Sequence, residues 1–106
     1  MKETIAVEQI HNMMQENEIV LVDFSSDGCP PCDALRPVLQ KLLIEERFKD
    51  IKFVEINLTK HPELAEEFMV FGVPTLMIFK MGKEYRKKVG YVTKKKLAKF
   101  LEEAKL

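Results

Sequence analysis

An α/β domain, built on a central mixed sheet of four to five strands with helices on both faces, is what this sequence predicts, and three observations predict it. Apolar positions at helical spacing alternate with short β-branched runs along most of the chain. The alternation ends in two strands joined by a Met81-Gly82 turn, followed by one amphipathic segment that can cover them. The 106 residues, 46% hydrophobic and 32% charged, have room for one core, so residues 1–106 read as a single domain. No repeat, low-complexity stretch or Gly/Ser linker divides it.

Val7, Ile10 and Met14 recur at helical spacing and predict a first helix over about residues 7–17, preceded by a very short strand around Thr4 and Ile5. Ile19-Val20-Leu21-Val22-Asp23-Phe24 is continuous and β-branched, so it predicts a strand covered on both faces. Asp23 is out of place in it. Leu35, Val38, Leu39, Leu42 and Leu43 then mark one face of a long helix over roughly residues 30–48, kinked at Pro37. Ile51 to Asn57 predicts a second core strand, and Pro62 to Phe68, with its proline and early acids, a short helix. Thr75 to Phe79 and Glu84 to Tyr91 form the hairpin around Gly82, and Lys94 to Ala104 the last helix, with Leu97, Phe100, Leu101 and Ala104 on one face.

Composition narrows the function. The longest aliphatic run, Ile19 to Val22, is far short of the roughly 18 apolar residues a membrane-spanning helix needs. Acids near the amino terminus, at Glu3 and Glu8, stand where a secretory leader would be apolar, which points to a cytoplasmic setting. Net charge is zero but unevenly spread: residues 1–79 hold 7 basic and 14 acidic side chains, residues 80–106 hold 10 and 3. The basic clusters Arg86-Lys87-Lys88 and Lys94-Lys95-Lys96 have only Tyr85 and Tyr91 nearby to stack on bases and no nucleic-acid motif, so they read as a solvated face that steers acidic partners. No nucleic acid and no membrane is expected as a partner.

The two cysteines, Cys29 and Cys32, are too few for a disulfide-stapled secreted scaffold. They stand where a buried strand ends and a helix begins, as Cys29-Pro30-Pro31-Cys32. Two intervening residues let the sulfurs close a small ring, and a helix amino terminus offers free N–H groups and a positive dipole end to a thiolate. Such a site lowers a cysteine pKa from about 8.5 into the range of roughly 3.5–7.5. Cys29, at the helix start, is the exposed nucleophile of the pair and Cys32, one turn inward, the buried resolving thiol. Prolines carry no N–H, so Pro30 and Pro31 leave the Cys32 N–H as the nearest backbone donor to Cys29, and Asp33 adds a negative charge. Both weaken thiolate stabilisation, while two prolines stiffen the ring. The sequence leaves the net effect on redox potential open. A zinc site also uses C-x-x-C, but His11 and His61 fit no zinc-ligand spacing with it, and no metal is expected.

The apolar strand ending Asp23-Phe24, the C-P-P-C at a helix start, Pro37, Gly72-Val73-Pro74-Thr75, Gly82 and Gly90 together resemble thioredoxin, over nearly the whole chain. The resemblance implies the thioredoxin fold and a thiol–disulfide oxidoreductase that reduces disulfides of cytoplasmic proteins through a reversible Cys29–Cys32 disulfide, with no bound cofactor. It implies that Asp23 is a buried acid beneath Cys32 that takes its proton, which agrees with a desolvated carboxyl having a raised pKa. The other reading of Asp23 is a strand-end cap for the next turn. Pro74 is implied to be a cis proline facing the disulfide, and the Val73 backbone to pair with an extended client segment. Gly28, Pro30, Pro31 and Gly90 complete the implied client-binding rim. The implied partners are disulfide-containing clients and a flavin-dependent thioredoxin reductase acting on a monomer.

The chain departs from that pattern in four places. Gly28 precedes Cys29 and Ser25 lies upstream where tryptophans are usual, and the chain has no tryptophan. Pro30 replaces a glycine and Asp33 a basic residue, while Phe71, just before Gly72, is placed to restore some aromatic surface. Glu55 either approaches Asp23 and raises its pKa further or is a solvated strand residue. These changes keep two other activities in view, an oxidant, isomerase or client-dedicated redox protein, and a binding module that makes no use of its thiols.

Overall fold

The computed structural model describes residues 7–106. Its elements are α1 (Val7–Glu16), β1 (Ile19–Ser25), α2 (Pro30–Leu43), a 3-10 turn at Glu46–Phe48, β2 (Lys52–Asn57), α3 (Glu63–Glu67), β3 (Thr75–Lys80), β4 (Lys83–Val89) and α4 (Lys94–Ala104). The expected strand around Thr4 and Ile5 lies outside the described residues. Among those, the sheet has four strands in the order β2-β1-β3-β4, with β1 parallel to β2 and antiparallel to β3, and β4 antiparallel to β3.

Every residue of β1 is buried, as a strand with no polar alternation demands. Its side chains divide by period two between two cores. Ile19 and Leu21 pack with Leu35, Leu39 and Leu42 of α2 and with Leu97, Phe100 and Leu101 of α4. Val20, Val22 and Phe24 pack with Ile10 and Met14 of α1 and Leu64 of α3 on the opposite face. The two-residue period that sends Leu21 toward α2 sends Asp23 there as well.

The helix expected to reach residue 48 stops at Leu43. The next inward positions after Leu42, one turn on, are Glu45 and Glu46, and continuing the helix would drive acids into the core. The chain turns out instead, leaving Ile44 85% exposed, and a single 3-10 turn brings Phe48 back to 1% exposure. α2 runs through Pro37, which leaves the Asp33 carbonyl without its helical N–H partner. α4 has the expected bounds, and Thr93 caps it by accepting the Lys96 N–H on its hydroxyl. That cap satisfies a first-turn donor which Lys94, Lys95 and Lys96 cannot.

β4 lies at one margin of the sheet and is almost wholly exposed. Its Lys83, Arg86, Lys87 and Lys88 place charge on an edge that would otherwise template pairing with another chain. No helix among the described residues is long and apolar enough to cross a membrane.

The hairpin turn differs from expectation in one residue. Gly82 has φ +82°, as a turn glycine should, but Met81 also has a positive φ of 52°, and two positive values in a two-residue loop are the pattern of a type I′ turn. Methionine adopts that conformation at a cost of about 1–2 kcal/mol, and at 74% exposure its side chain recovers little by packing. Met81→Asn is therefore expected to stabilise the protein by about 0.5–1 kcal/mol in urea unfolding at neutral pH; an unchanged or lowered midpoint would show that Met81 packing outweighs the backbone conformation.

Candidate active site

The sheet delivers four loops to one end. β1 and β2 finish there at Ser25 and Asn57, paired in register, and β3 begins there at Thr75, opposite Phe24 on one side and Val89 on the other. The loop after β1 is tied to the loop after β2 by side chains that mimic backbone. Asn57 donates its side-chain N–H to Asp27 at 2.9 Å, and the Asp27 N–H donates to the Thr59 hydroxyl at 3.0 Å. The Leu58 N–H reaches the Ser25 carbonyl at 2.8 Å. Gly28 then takes φ +62°, a conformation an L side chain resists, and turns the chain into α2.

Cys29 is the N-cap of α2, extended at φ −121°, ψ 92°, and Pro30 and Pro31 are the first two helical residues. Its sulfur accepts the Cys32 N–H at 3.3 Å, the donor that the two prolines leave in place. The sulfurs are joined as a disulfide. Cys32 is fully buried and Cys29 exposes 7%, so the expected order of exposure holds, although the outer cysteine offers little more than an edge of its sulfur. Pro30, Pro31 and Gly28 around it are exposed.

The loop leading into β3 holds the Val73–Pro74 bond in the cis form. It is fixed from both sides, by the Thr75 hydroxyl donating to the Gly72 carbonyl at 2.6 Å and by the Gly90 N–H donating to the Pro74 carbonyl at 2.7 Å. Pro74 is buried, Val73 and Gly90 are half-buried, and Phe71 stands 87% exposed beside Met69 and Val89, which are 62% and 64% exposed. A shallow cavity is lined by these three apolar side chains with Lys87 at its margin.

Asp23 is fully buried, and neither carboxyl oxygen has a hydrogen-bond partner in the protein. It is in mid-strand and caps nothing. Burial first, and the Glu55 charge second, push its pKa from 3.8 up to about 7, against a smaller downward pull from Arg36. Glu55 is not a solvated strand residue either. It stands in register with Asp23 on β2, is 8% exposed, and accepts hydrogen bonds from the Ser25 hydroxyl at 2.8 Å and from Arg36 Nη2 at 2.8 Å and Nε at 3.3 Å. Burial pushes the Glu55 carboxyl up, but the hydrogen bonds from Arg36 and Ser25 and the Arg36 charge outweigh it and hold it below its ordinary value.

Arg36 is the residue that sequence reasoning missed. Its one available signal was its i, i+4 spacing from Cys32 on the helix. It also pairs at 3.2 Å with Asp33, so the negative charge expected to act on the cysteines is partly neutralised. His61 lies 3.5 Å from Glu63, and no group of three or more metal-ligating side chains occurs among the described residues.

A family model described as thioredoxin matches residues 3–103. The chain belongs to the thioredoxin family. It is 34% identical over 91 residues to the thioredoxin of Buchnera aphidicola, covering 86% of this chain and 83% of that one. To the thioredoxin of Chlamydia muridarum it is 41% identical over 83 residues, covering 78% and 79%. Among solved structures it resembles a mutant thioredoxin of Halobacterium salinarum, with TM-score 0.87, 28% identity and coverage of 97% and 88%. Mitochondrial thioredoxin 3 of Saccharomyces cerevisiae in its oxidised form gives the same TM-score at 25% identity, covering 97% and 94%. With this family, this fold and this cysteine pair, the protein is a thiol–disulfide oxidoreductase of the thioredoxin type.

A buried, unpaired carboxyl makes this protein's stability depend on pH. Asp23 titrates at about 7 folded and near its ordinary 3.8 unfolded, so its contribution is complete below about pH 4 and is lost as pH rises through 7. The loss is at most about 4 kcal/mol. Urea unfolding of the oxidised protein should show Asp23→Asn gaining on the wild type by about 3–4 kcal/mol between pH 4 and pH 9. A gain that is the same at both pH values would mean that Asp23 is charged throughout.

Proposed function

We propose that this protein is a disulfide reductase for cytoplasmic protein clients. The observation that carries the direction is the single backbone N–H at the Cys29 sulfur, from Cys32 at 3.3 Å, behind two prolines that can supply none. Oxidants with a C-x-x-C site are strong because they stabilise the reduced thiolate form. A thiolate with few donors, and without a basic residue at position 33, has the opposite bias and gives its electrons away. The stiffened Pro30-Pro31 ring, which favours the closed disulfide, acts in the same sense. A chain whose only two cysteines form this pair suits a reducing compartment.

In the cycle, the Cys29 thiolate attacks a client disulfide, a Cys29–client mixed disulfide forms as the client S–S bond breaks, and the other client sulfur leaves as a thiolate. Cys32 passes its proton to the Asp23 carboxylate and attacks Cys29 Sγ, which releases the second client sulfur as a thiolate, protonated from solvent, and closes the Cys29–Cys32 disulfide. Two electrons reach the client. Asp23, titrating at about 7, can both accept and return that proton at neutral pH. The extended client segment lies along Val73 and Pro74, across a rim formed by Gly28, Pro30, Pro31 and Gly90. Exposed Met69, Phe71 and Val89 supply apolar contact in place of the absent tryptophans. The protein acts as a monomer without a bound cofactor, and a flavin-dependent thioredoxin reductase returns the electrons.

The midpoint potential of the Cys29/Cys32 pair, read by thiol alkylation and intact mass in defined dithiol buffers, is expected near the about −270 mV known for thioredoxin. A value above about −200 mV would make the protein an oxidant or isomerase. Cys29→Ser should abolish reduction of insulin disulfides, and Cys32→Ser should accumulate a mixed disulfide at Cys29. Full biological function in the doubly substituted protein would reveal a binding module instead.

A further inference from the structure

The buried carboxyl at position 23 has no direct partner, so its charge is governed by what packs around it. From β2 it is faced by Glu55, in register; from β3 by Leu76, also in register and uncharged. Its own strand is otherwise free of charge, and the inward side chains of α4 are Leu97, Phe100, Leu101 and Ala104. α2 brings Cys32, Arg36 and Asp33 to this side of the sheet. Asp33 is exposed to solvent, so one acid and one base, Glu55 and Arg36, bear on Asp23, and they are bonded to each other.

We propose that Arg36 and Glu55 are positioning residues for the proton that passes between Cys32 and Asp23. The guanidinium holds the Glu55 carboxylate, ionised, alongside Asp23, and the two together set how tightly Asp23 keeps that proton. The electrostatic part of this stands on geometry alone, while its use in turnover rests on the reductase cycle above.

The geometry suits the role. Arg36 follows Cys32 by one helical turn, so the helix that presents the resolving sulfur also presents the cation. Its Nε and Nη2 form a fork on the two oxygens of Glu55 at 3.3 and 2.8 Å, and its Nη1 reaches outward to Asp33 at 3.2 Å. Ser25 fixes Glu55 from a third direction at 2.8 Å. Glu55 thus stays charged although buried, because it has a fixed counter-ion and a hydroxyl. Asp23, one strand away, has neither. The pair acts on Asp23 in opposite senses, the Glu55 charge favouring the neutral acid and the Arg36 charge the carboxylate.

The test follows the Asp23 carboxyl carbon by NMR from pH 4 to pH 10 in the oxidised and reduced protein. In parallel, the resolving step is timed as the second thionitrobenzoate released when the reduced protein meets the corresponding aromatic disulfide. Glu55→Gln is expected to move the Asp23 midpoint down by about one pH unit or more, and Arg36→Gln to move the last proton release of the Asp23/Glu55 pair up by a similar amount. Arg36→Lys, which keeps the charge, should stay near the wild type, and the double variant Arg36→Gln/Glu55→Gln should deviate from the sum of the single shifts. The pH profile of the resolving step should move in the same direction as each titration. Misfolding cannot produce shifts of opposite sign. Asp23 titrations unmoved by both single substitutions would overturn the proposal, as would a resolving-step profile that ignores a moved Asp23. A wild type that reduces no client disulfide would sink the reductase reading alone, since the NMR titration and the thionitrobenzoate reaction need no client.

Discussion

A carboxyl group sits in the middle of a strand that is buried along its whole length, and the rest of the site is arranged around that constraint. β1 must be largely apolar on both faces because helices cover both, and Asp23 is the one ionisable residue in it. The fold tolerates it because the acid can be protonated, and protonation is the chemical use to which a resolving cysteine can put it. The penalty is borne by global stability, where it is spread over two large cores. Structure and reactivity are therefore coupled through one proton, and the pH range in which the domain is less stable is the range in which the acid can act as a base.

The same economy governs the cysteines. A C-x-x-C pair at a helix start ordinarily gains thiolate stabilisation from several free N–H groups. Here two prolines remove the first two, and the sulfur of the N-cap residue is left with the Cys32 N–H. Proline at these positions does not disturb the helix, whose first-turn donors lack intrahelical partners anyway. The local conformation is preserved while its electrostatic content is reduced, so the dipeptide alters reactivity without altering the fold.

Much of this could be read from residue order. Asp23 was legible because an acid interrupts an otherwise apolar β-branched run, and the cysteine pair because it follows that run directly. The end of α2 was not, because the apolar stripe from Leu35 to Leu43 says which way the helix faces and not where it stops; burial of Phe48, which lies off that stripe, is reached through a 3-10 turn that periodicity does not encode. The positive φ of Met81 was hidden by its side chain, since sequence signals a type I′ turn through asparagine or glycine. Arg36 was hidden for a different reason. Its partner Glu55 is 19 residues away, and only the parallel register of β1 with β2 brings that carboxylate under the helix. Spacing along one element is visible in a sequence, whereas a contact made between two elements depends on a register that has to be observed.

The Arg36–Glu55 pair also explains how a second buried acid survives next to the first. Two carboxylates in register on adjacent strands repel, and without compensation one would be expelled or both would be neutral. Anchoring Glu55 to a bidentate guanidinium separates the two fates, leaving one acid permanently charged and the other free to titrate. A lysine at position 36 would keep the charge that acts on Asp23 and Glu55 while giving up the fork and the reach to Asp33. What distinguishes this site from a lone buried aspartate is that its proton affinity depends on residues at the protein surface, since Arg36 is half-buried and Asp33 exposed.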